Sequence, residues 1–95
     1  MIKHIVMFKL KNNSKENVEK VVNALKTLEG NIDVLRSAEV GVNFTVSERS
    51  YDIVLTTEFD NRDALNDYGP HPKHLPVVEI VHSHCSGSVV VDYEI

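Results

Sequence analysis

Apolar and polar residues alternate at the start of the chain, and this alternation predicts a β-strand over Ile2–Leu10. Its even-numbered positions are apolar apart from His4, so we assign this face to the protein core. Its odd-numbered positions carry the apolar residues Ile5 and Met7 at mid-strand. A strand that is apolar on both faces needs cover on both faces.

The hydrophobic period changes to that of a helix between Asn13 and Gly30, where valine and leucine recur every three or four residues. Asn13 followed by Glu16 resembles a capping box, although Ser14 is an alternative N-cap. Gly30 is expected to stop the helix at the C′ position. The segment therefore predicts one amphipathic helix.

The rest of the chain continues to alternate between strand and helix patterns. Gly41 lies inside the second predicted strand, where glycine usually marks a bulge or a close backbone approach. The order β-α-β-β-α-β predicts one α+β domain over residues 1–95 with the ferredoxin-like fold, a four-stranded antiparallel sheet with helices on one face. The later elements are strands over 35–44, 51–59 and 85–93, a short helix capped by Asp60 or Asn61 and ended by Gly69, and a helix that Pro76 opens and that runs through Val81.

The sheet face that carries Ile5 and Met7 has no predicted helix to cover it. Two copies would bury these faces against each other, which predicts a homodimer whose two sheets enclose a barrel-like interior. A monomer with a moderately apolar exposed face is the alternative. Because a chain of this size buries only about 60–65% of its unfolded surface, we expect a lone monomer to be modestly stable.

Composition and charge exclude several classes of protein. With 42% hydrophobic and 25% charged residues, the chain is typical of globular domains. A net charge of −4 without a dense Lys/Arg block disfavours binding to nucleic acid or to an anionic membrane surface. The single cysteine, Cys85, cannot form an internal disulfide, and no apolar run approaches the roughly 18 residues of a membrane span. We therefore expect a cytoplasmic protein, and we predict no cofactor.

Candidate chemistry is concentrated between residues 67 and 79, which read DYGPHPKHLPVVE. His74 lies just before the helix that Pro76 opens, and the positive end of that helix dipole favours a neutral imidazole. A neutral imidazole is a competent general base near neutral pH. Tyr68 is suited to hydrogen-bond a substrate carbonyl or a developing enolate. His71, which precedes a proline, is biased towards an extended backbone.

His4 lies among core residues and must find a hydrogen-bond partner, because an unpaired buried polar group costs about 1–3 kcal/mol. We expect that partner to come from the turn at residues 68–74. A structural role is the alternative for all these side chains: His74 and Tyr68 would then only satisfy backbone groups in a proline-fixed turn.

Three segments together resemble the stress-responsive dimeric α/β-barrel (Dabb) family: IKHIVMFKLK at the start, VGVN at 40–43 and YGPHPKH at 68–74. The resemblance covers essentially the whole chain and implies a homodimer with a central barrel and outer helices. One plant member is a polyketide cyclase, in which a histidine base and a tyrosine promote an aldol-type ring closure. The resemblance implies His74 as the base and Tyr68 as its assistant.

The resemblance also implies pocket-lining roles for His4 and His71. The pocket is expected between the helix-facing sheet surface and the 68–74 turn. The first helix of the cyclase lines its pocket with aromatic side chains where this chain has Val21 and Leu25, so the acyl-chain end is expected to differ. The predicted substrate-binding set is His4, His71, Val6, Phe8, Val21 and Leu25.

Three further hypotheses stay open at this stage. The first is a non-catalytic ligand-binding or stress-linked dimer whose histidines are structural. The second is a metal site from His71 and His74 with the HSHC segment at 82–85, which contains His82, His84 and Cys85, although the spacing matches no usual zinc pattern. The third, a haem-type monooxygenase of the wider dimeric α/β-barrel superfamily, rests on fold analogy alone.

Overall fold

The computed structural model describes residues Met1–Ile95 and contains the strands and helices in the predicted order. Both predicted helices between the third and fourth strands are present. Asn61 rather than Asp60 caps the first, and the second begins at Leu75 and continues past Val81 to His84. The elements are β1 (Ile2–Leu10), α1 (Lys15–Lys26), β2 (Leu35–Val42), β3 (Ile53–Phe59), α2 (Arg62–Tyr68), α3 (Leu75–His84) and β4 (Cys85–Glu94).

The four strands form one antiparallel sheet in the order β2-β3-β1-β4. This is the ferredoxin-like arrangement that the element order predicts. The central strand β1 pairs with β3 on one side and with β4 on the other. His4 is thereby opposite Thr57 on β3 and opposite Asp92 on β4. Residues far apart in the chain therefore meet on the helix-facing side of β1.

The hydrophobic core lies between this sheet face and the helices. Phe59 and Val21 are completely buried, and Leu25 and Ile53 are nearly so. The one buried polar side chain, Thr57, donates a hydrogen bond from its hydroxyl to the backbone oxygen of His4 at 3.2 Å. The even-numbered residues of β1 face this core, as the alternation of the sequence predicts.

The N-cap of helix α1 is Ser14, the alternative to the capping box that starts at Asn13. The Ser14 hydroxyl accepts the amide hydrogen of Asn17 at 3.3 Å, so Ser14 is the N-cap. The Asn13 side chain instead donates to the Asp52 carboxylate at 3.2 Å, and this tertiary contact occupies it. The helix ends at Lys26, earlier than predicted, and Gly30 supplies a positive φ of 81° in the turn that follows.

The β2–β3 hairpin is shorter than predicted at both strand ends. Strand β2 ends at Val42 rather than Phe44, and β3 begins at Ile53 rather than Tyr51. The Asn43 side chain donates to the Thr45 backbone oxygen at 2.6 Å, which folds the loop onto itself. Phe44 is 97% exposed, so its hydrophobicity does not report a strand position.

Gly41 marks a close approach rather than a bulge. A Cβ atom at this position would lie 2.9 Å from Val54 Cγ1 on the neighbouring strand. The irregularity in the β2–β3 ladder falls instead between Leu35 and Ser37. Glycine at position 41 therefore allows β2 and β3 to pack closely.

The outer sheet face has no helix against it. Register places Val91 opposite Ile5 and Val89 opposite Met7, which forms an apolar patch on β1 and β4. Val91 is 57% exposed and Met7 is 39% exposed, so the patch remains open to solvent in the single chain. None of the helices has the length and hydrophobicity that crossing a membrane requires.

Candidate functional site

A cavity of about 350 Å³ lies between helix α3 and the helix-facing surface of the sheet. It opens beside the first residues of β4, and polar groups occur at both ends. His4, Tyr68 and His74 form one polar end, and His82, Cys85, Ser86 and Ser88 form the other. The wall between them is apolar, built largely from Val6, Phe8, Leu25, Leu55, Val77 and Val81.

Tyr68 ends helix α2 and points its ring into the core. Only 3% of the residue is exposed, and its ring centroid lies 5.0 Å from that of Phe59. Tyr68 lines the cavity, and its hydroxyl makes no hydrogen bond to another residue; because no fully buried side-chain oxygen lacks a partner, this hydroxyl is open to the cavity. Burial raises the pKa of Tyr68 to about 12, so the phenol keeps its proton at neutral pH and acts as a donor.

His74 is held by the turn that precedes α3. Its Nδ1 lies 2.9 Å from the Gly69 backbone oxygen. A carbonyl oxygen only accepts hydrogen bonds, so Nδ1 carries the proton and Nε2 carries the lone pair. The ring stacks on Tyr68 with centroids 4.1 Å apart. The local fold therefore presents an imidazole base directly beside a phenol donor.

His4 finds its partner on β4 and not, as expected, in the turn at 68–74. Its Nδ1 is paired with the Asp92 carboxylate. The physical reason is register, because β1 and β4 pair so that Asp92 stands directly opposite His4. The His4 ring meets Tyr68 edge to face at 6.3 Å between centroids. Asp92 is thus a site residue that the sequence reasoning missed.

The structure brings together most of the predicted site residues. His4, Val6, Phe8, Leu25, Tyr68 and His74 all line the cavity. Val21 does not, because it lies one helical turn before Leu25 and is completely buried in the core. His71 does not either: its Nδ1 accepts the amide hydrogen of Lys73 at 3.1 Å, and its Nε2 lies 3.9 Å from an Asp33 carboxylate oxygen.

The opposite end of the cavity contains residues that the sequence offered only as possible metal ligands or not at all. His82, Cys85, Ser86 and Ser88 line it. Burial, and then the charge of Asp52, raise the pKa of the Cys85 thiol, so this cysteine is a poor nucleophile. The metal hypothesis is not supported, since no group of three or more His, Cys, Asp or Glu side chains is placed to hold an ion.

Fold and cavity together define an α+β ferredoxin-like protein with a cavity between sheet and helix. The chain belongs to the Dabb family, the stress responsive A/B barrel domain, whose model it matches over residues 2–95. An uncharacterised protein of Streptomyces coelicolor is 33% identical to it over 97 residues, which cover 99% of each chain. The resemblance inferred from the three sequence segments is therefore confirmed.

Solved structures share the fold over nearly the whole chain. A dimeric ferredoxin-like protein of unknown function from Bacteroides fragilis is 35% identical, with a TM-score of 0.83, over 99% of this chain and 95% of that one. A hydroxynitrile lyase from Passiflora edulis has a TM-score of 0.84 at 15% identity, over 99% of this chain and 92% of that one. An antibiotic biosynthesis monooxygenase has a TM-score of 0.71 at 15% identity, over 100% of this chain and 98% of that one. The last two show the fold alone.

Proposed function

We propose that this protein is a homodimeric enzyme that binds a small carbonyl compound in the cavity and removes a proton from the carbon beside the carbonyl group. The observation that carries the proposal is the unpartnered hydroxyl of buried Tyr68, stacked against a histidine whose Nε2 is a bare acceptor. A donor and a base side by side in an apolar cavity are the groups that enolate formation needs.

In this reaction His74 Nε2 takes the proton from the carbon next to the carbonyl. The electron pair of the broken C–H bond moves into the new C=C bond, and the carbonyl oxygen becomes an enolate oxygen. Tyr68 donates a hydrogen bond to that oxygen. His4 lies at the same end of the cavity, and Asp92 fixes its tautomer and orientation by pairing with Nδ1.

Proton exchange tests the proposal without knowledge of the natural substrate. Neutral ketones are incubated in D₂O with the protein, and loss of the proton signal beside the carbonyl is followed by NMR. The native protein is expected to accelerate exchange of at least one ketone, and His74→Gln is expected to reduce that rate by about 10²–10⁴-fold.

His84→Gln is the matched control for this experiment. His84 lies at the end of α3, the helix that His74 precedes, but outside the cavity, and its Nδ1 is 2.9 Å from the Ile80 backbone oxygen. It should exchange ketones at the native rate. Equal exchange rates in the native protein and in His74→Gln would contradict the assignment of the base.

A non-catalytic ligand-binding dimer is the second candidate. The observation that favours it is the bond between His74 Nδ1 and Gly69, because this bond also fastens the turn. Under this alternative, ketones bind without proton exchange and His74→Gln mainly lowers the melting temperature. The exchange experiment and a melting curve on the same samples separate the two functions.

The haem-type monooxygenase hypothesis has only a shared fold in its support. A cavity of about 350 Å³ is also small for a porphyrin ring. Titration with haem is therefore expected to give no Soret band, and a stoichiometric band would reinstate this hypothesis.

The homodimer in this proposal forms through the outer sheet face. Its support is the exposed apolar patch around Met7 and Val91, together with the dimeric state of relatives with the same fold. Val91→Lys at the centre of the patch is expected to give monomers in sedimentation velocity. Val90→Lys is the matched control, because the neighbouring side chain is equally exposed but points to the other face. A dimeric Val91→Lys variant would contradict the interface.

A cytoplasmic location is also part of the proposal. Its support is the free thiol of Cys85, the single cysteine of the chain.

A further inference from the structure

The geometry points to a second hydrogen-bonding subsite at the β4 end of the cavity, formed by His82 and Ser88 with Ser86 beside them. The ligand is then an uncharged, two-ended molecule: a carbonyl group at one end, an apolar middle, and a hydroxyl or second carbonyl at the other end. This inference rests on the proposed function, because it assumes that the reacting carbonyl lies beside Tyr68 and His74.

The polar groups at this end are exposed at the opening of the cavity, where a ligand would replace water as their hydrogen-bond partner. His82 is the one histidine of the chain that makes no hydrogen bond or ion pair, whereas His4, His71, His74 and His84 are all engaged. The Ser88 hydroxyl has no partner within the chain either, and both side chains line the cavity. Ser86 is engaged only weakly, by a 3.3 Å hydrogen bond to the Lys9 backbone oxygen.

Strand register sets the distance between the two polar ends. Asp92, which pairs with His4, and Ser88, which is opposite Phe8, are four residues apart on β4. At about 3.3 Å per residue this is roughly 13 Å along the strand. Val6 and Phe8 cover the floor of that interval, and Val78 and Val81 face it from α3. The ligand therefore needs an apolar middle several carbons long.

The volume limits the size of the ligand. A cavity of about 350 Å³ divided by roughly 30 Å³ for each water-sized group gives room for about a dozen non-hydrogen atoms. This number matches an unbranched chain that reaches between the two polar ends.

Charge makes a neutral ligand the better fit. No lysine or arginine lines the cavity, so a carboxylate or phosphate would enter without a counter-charge. Asp92 lies at the His4 end, so that end is unfavourable for an anion. At the other end the charge of Asp52 has a larger effect on Cys85 than the opposing charge of Lys11, so neither end offers net positive charge to an anion.

Isothermal titration calorimetry with three probes tests the subsite: 2-octanone, 8-hydroxy-2-octanone and 7-oxooctanoate. These share one carbonyl position and differ at the far end, which is methyl, hydroxyl or carboxylate. One added hydrogen bond is expected to make the hydroxyketone bind about two- to tenfold more tightly than 2-octanone. The carboxylate is expected to bind more weakly than the hydroxyketone.

Ser88→Ala and His82→Leu are each expected to lower the ratio of the hydroxyketone affinity to the 2-octanone affinity towards 1. Ser83→Ala is the matched control, since Ser83 lies on α3 outside the cavity and its hydroxyl donates to the Ile80 backbone oxygen at 2.7 Å. It should keep the native ranking of the three probes.

The inference is overturned if the hydroxyl group gives no advantage, if both variants keep that advantage, or if no probe binds. Its failure is distinguishable from failure of the proposed function, because calorimetry measures binding alone. A hydroxyl advantage that is lost in Ser88→Ala supports the subsite even where no proton exchange occurs. Proton exchange of 2-octanone, together with equal affinities for 2-octanone and the hydroxyketone, would support the proposed enzyme and contradict the subsite.

Discussion

Replacement of Tyr68 by phenylalanine separates the chemical role of its hydroxyl from the structural role of its ring. The ring packs against Phe59 at 5.0 Å and against His74 at 4.1 Å between centroids, and phenylalanine keeps both contacts. The hydroxyl has no partner in the chain, so its removal breaks no internal hydrogen bond. We expect the free energy of unfolding at pH 7 to change by less than about 1 kcal/mol, while ketone exchange falls strongly.

The same variant has a second consequence at alkaline pH. Burial raises the pKa of Tyr68 from 10.0 to about 12 in the folded protein. Above pH 10 the unfolded chain releases the phenolic proton while the folded chain keeps it, so the folded state binds more protons and stability falls as pH rises. Two pH units at 1.36 kcal/mol each give a loss of about 2–3 kcal/mol, nearly complete by pH 12. This contribution disappears in Tyr68→Phe.

Urea denaturation followed by circular dichroism at pH 7 and at several values between 10 and 12 measures both effects. Tyr93→Phe is the matched control, because Tyr93 lies on β4 outside the cavity, and this variant should keep the alkaline loss that Tyr68 causes. The reasoning is refuted if Tyr68→Phe loses as much stability above pH 10 as the native protein. A cost above about 2 kcal/mol at pH 7 would mean that the hydroxyl has a structural partner.

Three further substitutions test the site and the packing. Asp92→Asn is expected to slow ketone exchange at least about tenfold in the NMR assay, because an amide does not hold His4 in the same tautomer. The free energy of unfolding is expected to fall by less than about 1 kcal/mol, since the His4–Asp92 pair is partly exposed. Unchanged exchange would contradict the role of Asp92. Gly41→Ala is expected to cost about 1–3 kcal/mol in urea denaturation, because its Cβ would lie 2.9 Å from Val54 Cγ1. Val54→Ala combined with Gly41→Ala should relieve that cost, because it removes Cγ1. Gly87→Ala is the neutral control, because a Cβ at Gly87 would have no atom within 4 Å. Phe59→Ala is expected to cost about 3–5 kcal/mol by the same measurement, because the side chain is completely buried, and a cost below 1 kcal/mol would contradict its place in the core.

The fold was predictable from the sequence wherever local periodicity carried the information. The alternation in β1 and the helical spacing in α1 identify both elements and their buried faces. Element ends were less predictable, because long-range contacts decide them. Asp52 engages Asn13 and leaves the cap to Ser14. Exposed Phe44 lies in a loop that its hydrophobicity alone would assign to a strand.

The candidate site was predictable where its residues are close in sequence. Tyr68 and His74 are six positions apart in one turn, and the sequence identified both. The partner of His4 is 88 positions away and depends on the register of β1 against β4, which no local pattern supplies. Val21 and Leu25 share one face of α1, so spacing alone does not tell which of them reaches the cavity.

A thermal-shift titration of neutral ketones against the native protein and His74→Gln decides whether the cavity is a working ligand site. A ligand at 100 times its dissociation constant adds about 2.7 kcal/mol of stability. For a domain of this size that corresponds to a rise in melting temperature of about 10 °C or more. We predict such a rise for at least one ketone, and a much smaller rise in the variant. No rise with any ketone, combined with a lower melting temperature of His74→Gln, would mean that the turn at 68–74 stabilises the fold and serves no ligand.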